Sequence, residues 1–386
     1  MTKILTARSV FAQADAADDA LLRGSWIEID LQAIRHNFRE LRAQLGTHVK
    51  IYACLKRNGY GCGAGPVAAV LSDEGADGFA VTSLLDAIAI RKEGVSKPIL
   101  LYPGAGIAAA RMIESLKLTV SISSIEELRQ WRSVTESMQV FVKVDLGFFR
   151  AGATPLSVQN LLSAALNDPH VSVDGIYAHM SELPSMRSSA ARAQFDRMLK
   201  IVEDADRLHL RPPLVMMSST EGVLNHPQMD FDAVDPGALF VGISEGPALA
   251  RPMDLRHALK TIRTRLVSVK RVDHSLGAIP DIRGLRPGVV LGVIGLGWGD
   301  GLPRQIHHDA VGLVGGRRAP LLPPAHLEHI RIDLTDIPEA RFGDEVVLLG
   351  KQGDQTITHE QIASQWGTDL VGLYAQLRDH VPKLYL

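Results

Sequence analysis

Eight short apolar runs, separated by helix-length segments, govern what the first two thirds of this chain can fold into. They read KIYACL (50–55), GFAVTS (78–83), PILLYP (98–103), TVSISS (119–124), QVFVKVD (139–145), VDGIYAH (173–179), LVMMSST (214–220) and ALFVGIS (238–244). Each is near strand length and rich in β-branched residues. Ahead of the first run, Leu31, Ile34, Phe38, Leu41 and Leu45 share one helical face. Strand and helix alternating in this way predict an α/β fold, a parallel (β/α)8 TIM-like barrel whose chemistry sits at the C-terminal strand ends. Lys56, Lys143, Arg150, His179, Thr220 and Asp235 fall at or near such ends or in the loops that follow. Polar residues flank strands in any fold, so placement alone assigns them no role.

From about residue 262 the pattern changes. RTRLVSVKRVD, GVVLGVIGLG, AVGLVGGRRAPLLP, HIRIDLTDI and DEVVLLG read as strands joined by Gly- and Pro-containing turns, followed by short helical pieces near 359–366 and 369–378. The predicted organisation is an N-terminal arm (1–24), a barrel (25–261) and a mostly-β C-terminal domain (262–386). A net charge of −2 gives no electrostatic case for nucleic acid or an anionic membrane. No apolar stretch reaches the roughly 20 residues that span a bilayer. The start, MTKILTARSVFAQADAADDALLRGS, lacks a long apolar segment and carries acidic residues, and is read as an ordinary cytosolic N-terminus. The two cysteines, Cys54 and Cys62, are too few for a disulfide framework and lack zinc-ligand spacing, which fits a cytoplasmic protein.

The string KIYACLKRNGYGCGAG (50–65) places Lys56 at the end of the first run, with Tyr60 and Gly61 four and five residues later. It resembles the cofactor-lysine signature of the alanine racemase family, the fold-type III enzymes dependent on pyridoxal 5'-phosphate (PLP). The resemblance extends from about Trp26 to Tyr385, through WIEIDLQAIRHNFRELR, FVKVDLGFFRAG, GIYAHM, GLGWGDGLPR and RIDLTDIPEARFGDEVVLLG. It implies that Lys56 condenses with the PLP aldehyde and later acts as a base at Cα, as a primary amine can. Arg150 would orient the substrate carboxylate, which suits a planar guanidinium. His179 would pack near the pyridine ring. Tyr60, Ser219, Thr220, Gly237 and Ala238 would hold the phosphate through hydroxyls and backbone N–H groups. Lys143 occupies a position carbamylated in some members of the family.

The sequence departs from the family pattern in three ways. Leu276, in Asp273-His274-Ser275-Leu276-Gly277, stands where the family has a catalytic tyrosine supplied by the partner subunit, and leucine moves no proton. Asp235, in FDAVDPGALFVGIS, stands where the family has an arginine at the pyridine nitrogen; a carboxylate there would favour a protonated ring, a stronger electron sink. Trp298 and Val371 replace gate tyrosines, and His326, Glu328 and His329 lie in the stretch that the family contributes to its partner's pocket, where they could read a polar substrate. With one base missing, the departures point to one-sided, D-stereospecific Cα chemistry of aldolase, lyase, transaminase or decarboxylase type. The alternatives are an amino-acid racemase with a substitute base, such as His274, His326 or His329, and a non-catalytic PLP-binding protein. The resemblance also implies a head-to-tail homodimer in which the pocket residues Leu276, Trp298, His326, Glu328 and His329 act in trans on an amino-acid substrate.

Overall fold

The computed structural model describes residues 23–181, 189–244, 246 and 250–386. After a first strand, β1 (Trp26–Ile29), come eight more: β2 (Lys50–Cys54), β3 (Gly78–Val81), β4 (Ile99–Leu101), β5 (Leu118–Ile122), β6 (Met138–Val144), β7 (Val171–Ala178), β8 (Leu214–Ser218) and β9 (Ala233–Val234). These eight, β2 to β9, close into a barrel in chain order, and every pairing is parallel, from Cys54 opposite Ala80 round to Ile51 opposite Val234. Seven of the eight apolar runs are barrel strands. The eighth is not: ALFVGIS forms a 3-10 turn over Ala238–Val241, and the closing strand is the two-residue β9 just before it. Ala238 to Val241 are buried throughout, so composition alone cannot separate a short buried turn from a short buried strand.

Aromatic side chains fill the barrel. Tyr52 meets Phe141 edge-on at 5.9 Å, Phe141 meets Tyr177 at 6.1 Å, and Tyr177 lies 5.6 Å from Tyr102. Two glycines make the room. A Cβ at Gly175 would lie 2.2 Å from the Phe141 ring, and one at Gly78 would lie 2.5 Å from that of Tyr52. Outside the barrel, the helix Leu31–Gln44 buries Ile34, Phe38 and Leu41, as its 3.6-residue periodicity predicts. The helix Leu84–Lys92 is capped by Ser83, whose hydroxyl accepts from the Asp86 N–H at 3.1 Å. Ser83→Ala is expected to cost about 1 kcal/mol, a fall of about 2–4 °C in the melting midpoint of a unit this size, as differential scanning calorimetry would show.

The described chain divides into two units, one of Gln32–His257 and one joining residues 23–31 with Ala258–Leu386, while most of the arm expected over 1–24 lies outside the described residues. In the second unit β10 (Leu259–Arg271), β11 (Val290–Ile294), β12 (Val311–Val314), β13 (Arg317–Leu322), β14 (Ile330–Asp333), β15 (Glu345–Gln352), β16 (Gln355–Ile357) and β17 (Lys383–Tyr385) form a sheet with β1, in the order β16-β15-β12-β13-β14-β11-β10-β1-β17. The segment Trp26–Ile29, which the expected domain 25–261 took in with the barrel, lies in this sheet instead. Trp26–Ile29 pairs antiparallel with β10 and parallel with β17. Its apolar pattern marks it as a strand, but the choice of partner is made by residues more than 200 positions away in sequence.

Candidate functional site

Lys56 follows β2 after one residue, and the chain then takes an uncommon path. Arg57, Asn58, Gly59 and Tyr60 all have left-handed backbones, with φ of 56°, 55°, 60° and 55°. For residues other than glycine this costs roughly 1–2 kcal/mol each, and such strain persists only where the surroundings enforce it. Here the Asn58 N–H donates to Asp86 Oδ1 (3.1 Å), the Asn58 side-chain oxygen accepts from the Ala64 N–H (2.8 Å), and the Gly63 N–H donates to the Asn58 carbonyl (2.8 Å). The turn leaves Lys56 at the barrel mouth and brings the Tyr60 ring back against Gly237, where a Cβ would lie 2.4 Å from the Tyr60 hydroxyl.

On the neighbouring strand, Asp235 follows β9 and is buried. The Tyr102 hydroxyl donates to its Oδ2 at 2.5 Å, while Oδ1 is buried without a hydrogen-bond partner. Burial pushes the Asp235 pKa up to about 6, against the opposing pull of Tyr102, Lys143 and Lys56. Lys143, at the end of β6, is buried with its Nζ 4.4 Å from the centre of the Tyr177 ring. Burial lowers its pKa to about 8. His179, one residue beyond β7, is driven down to about 3 by burial and then by Lys56, Lys143 and Arg150, so it is neutral at physiological pH.

Arg150 sits on a loop organised by Asp145. One carboxylate oxygen of Asp145 accepts from the N–H groups of Gly147, Phe148 and Phe149 at 2.9, 2.8 and 3.2 Å, and the other from Arg150 at 3.0 Å. Burial pushes the Asp145 pKa up, but the four N–H groups together outweigh it and hold it below the ordinary carboxylate value. The Arg150 guanidinium lies over the Phe148 ring at 4.1 Å, and Phe148 meets His179 edge-on at 6.0 Å. Lys143, Asp145, Phe148, Arg150 and His179 line a pocket here.

Tyr60, Thr220, Gly237 and Ala238 are brought together, as expected of a phosphate end. Thr220 differs in detail. Its hydroxyl accepts from the Gly237 and Leu239 N–H groups at 3.3 and 3.2 Å, so it supports the backbone at this end. Ser219 is half-buried at the head of the helix Thr220–Asn225, and the neighbouring Ser218 has a buried hydroxyl without a partner. This donor set fits PLP: an amine at a strand end, backbone N–H groups beside a hydroxyl, and an unpaired carboxylate oxygen deep between them.

The remaining predicted pocket residues lie in the other unit. The Trp298 N–H donates to the His326 carbonyl (2.9 Å), the Gly299 N–H to that of Leu327 (2.8 Å), and the His326 N–H to that of His329 (2.7 Å), which joins segments 297–301 and 325–329. Trp298, His326, Glu328 and His329 are all exposed. The backbone of Leu276 closes a short 3-10 turn with His274, and its side chain lies outside the described residues. His326, Glu328 and His329 are not among the donor groups close enough to share a metal ion; among the described residues that spacing is met by the exposed His307, His308 and Asp309.

Sequence reading had missed Asp145 and Tyr102. Asp145 carried a signal, since Asp two residues before Gly favours a side-chain-capped turn. Tyr102 carried none beyond its place at the end of an apolar run.

Comparison with known proteins agrees along the whole chain. Residues 29–245 match the family described as alanine racemase, N-terminal domain, and residues 261–385 match alanine racemase, C-terminal domain. The alanine racemase of Symbiobacterium thermophilum is 30% identical over 370 residues, covering 94% of this chain and 97% of that one. That of Streptococcus equi subsp. zooepidemicus is 31% identical over 95% of this chain and 99% of its own length. Among solved structures, alanine racemase from Streptomyces coelicolor superposes with a TM-score of 0.83 at 27% identity, covering 96% and 99% of the two chains. The Bacillus anthracis enzyme with bound L-Ala-P gives 0.84 at 23% identity, covering 94% and 95%, a likeness of fold.

Proposed function

The chain belongs to the alanine racemase family, a family of PLP-dependent enzymes that act on amino acids, and from that premise we propose that it is an amino-acid racemase in which another group replaces the missing tyrosine. The observation that carries this reading is the convergence of Lys56, Asp235, Lys143 and His179 at the mouth of one barrel, in a chain similar to alanine racemases over almost its full length. PLP, when bound, supplies an electron sink for charge developing at Cα.

The protein's own groups then have separable tasks. The Lys56 amine holds the cofactor and moves the Cα proton on its own face. Arg150 orients the substrate carboxylate. His179, being neutral, packs beside the ring without adding charge. Tyr60 and the backbone around Gly237 and Ala238, braced by the Thr220 hydroxyl, hold the phosphate. On the opposite face the proton is moved by an imidazole, His274, His326 or His329, a group suited to transfer near neutral pH. The working form is a homodimer with a cytoplasmic location, the second unit completing the partner's pocket. The exposure of Trp298, His326, Glu328 and His329 supports this role.

One specific observation favours a second reading. Leucine at position 276 removes the family's second base, so chemistry confined to one face, with D stereochemistry at Cα, would need no substitute. Incubating the enzyme with D- and L-alanine separately in deuterated water distinguishes the two. Racemisation predicts deuterium at Cα of both antipodes and their interconversion. Exchange confined to the D antipode, or a product that has lost its amino group, carboxylate or a side-chain fragment, would defeat the racemase reading in favour of the one-sided one.

A further inference from the structure

Asp235 has half of its acceptor capacity idle. Tyr102 occupies Oδ2, and Oδ1 is buried with no partner. A buried carboxylate oxygen left unpaired is costly, so a donor is expected to meet it in the working protein. Neither nearby lysine serves. Lys56 is committed to the cofactor aldehyde, and Lys143 rests its Nζ on the face of the Tyr177 ring at 4.4 Å, with the Tyr102 ring 6.0 Å away.

The contact with the Tyr177 ring suits a cation at position 143. The face of an aromatic ring is electron-rich and attracts a cation. A carbamate would place an anion against it and a second anion in the same cavity as Asp235.

We propose that Asp235, steadied by Tyr102, receives the N–H of a protonated pyridine ring, and that Lys143 stays an unmodified ammonium group that balances it. The inference rests on the cofactor reading above. The site then carries an anion where the resemblance implies an arginine, and the ring it holds is the stronger electron sink. Tyr102 is a positioning residue, since it acts through Asp235.

The test uses the full-length holoenzyme reconstituted with PLP labelled with nitrogen-15 in the ring. A bonded N–H correlation in the wild type supports the proposal. Asp235→Asn is expected to abolish that correlation and to weaken cofactor retention about 10- to 100-fold, the worth of one hydrogen bond to a charged group. Tyr102→Phe, which leaves the carboxylate in place, is expected to shift the correlation without abolishing it. An unprotonated ring nitrogen in wild-type protein whose cofactor is bound would overturn the proposal while leaving the cofactor reading intact; failure to bind PLP at all would overturn both. Carbon-13 bicarbonate gives an independent arm. No carbamate resonance is expected, and one that disappears in Lys143→Ala would refute the claim for Lys143.

Discussion

Lys56→Ala is expected to abolish both covalent attachment of the cofactor and turnover. Borohydride reduction of the wild-type holoenzyme should leave a pyridoxyl group on the peptide containing residue 56, and the variant should carry none. Positioned acid–base catalysis contributes about 10²–10⁴-fold on its own, and the variant also loses the nucleophile that engages the aldehyde. A fall in kcat/KM of more than about 10³-fold follows from the two together. The fold should survive. The left-handed turn over residues 57–60 is held by Asn58, Asp86 and backbone N–H groups. Circular dichroism should match the wild type, which separates lost chemistry from lost structure. A variant that kept near-wild-type turnover, or a label found on another lysine, would remove Lys56 from the centre of the site.

Seven barrel strands were legible because each carries its own local signature, β-branched and apolar over four to eight residues between turn signals. The eighth was not. Ala233–Val234 is too short to show any period, and its position is set by closure of the barrel against Ile51 and Ser218. The segment Trp26–Ile29 was drawn into the barrel by the domain bounds, because its pairing with Leu259–Arg263 depends on residues far off in sequence. At the site, Lys56, Arg150, His179 and Asp235 were found through a resemblance that extends over the chain. What escaped was everything that depends on three-dimensional proximity. Nothing in PILLYP says that Tyr102 points at Asp235, and nothing in KRNGY says that four successive residues turn left-handed, although Asn and Gly are the types that tolerate it.

Asp145 provides a test of how Arg150, proposed to orient the substrate carboxylate, is held. Its carboxylate accepts from the N–H groups of Gly147, Phe148, Phe149 and Arg150, and this pattern stabilises a loop in which Phe149 has φ of 55° and its side chain is 96% exposed. A bulky residue in that conformation is strained, so without the carboxylate the loop is expected to relax. Hydrogen bonds to a charged group are worth about 1.5–3 kcal/mol each, but four on one side chain do not add. A loss of about 2–3 kcal/mol in preference for the bound loop, the upper part of that range, is a reasonable scale. If only the ordered loop presents Arg150 correctly, apparent affinity falls by the fraction that remains ordered. Asp145→Ala should therefore raise KM for the amino acid by about 30- to 100-fold, with smaller changes in kcat and in PLP retention. Asp145→Asn keeps one acceptor oxygen and should fall between the two. The depressed pKa gives the sign with pH: Asp145's stabilising share is present above the unfolded carboxylate pKa of about 3.9 and is lost as pH falls through its lower folded value. The loop should thus stay ordered throughout the neutral range, and Asp145 should not appear as an ionisation in the neutral-pH profile of KM. Equal losses in kcat and KM-independent cofactor binding would instead mean that Asp145 supports the barrel mouth as a whole, and the role assigned to the loop would fail.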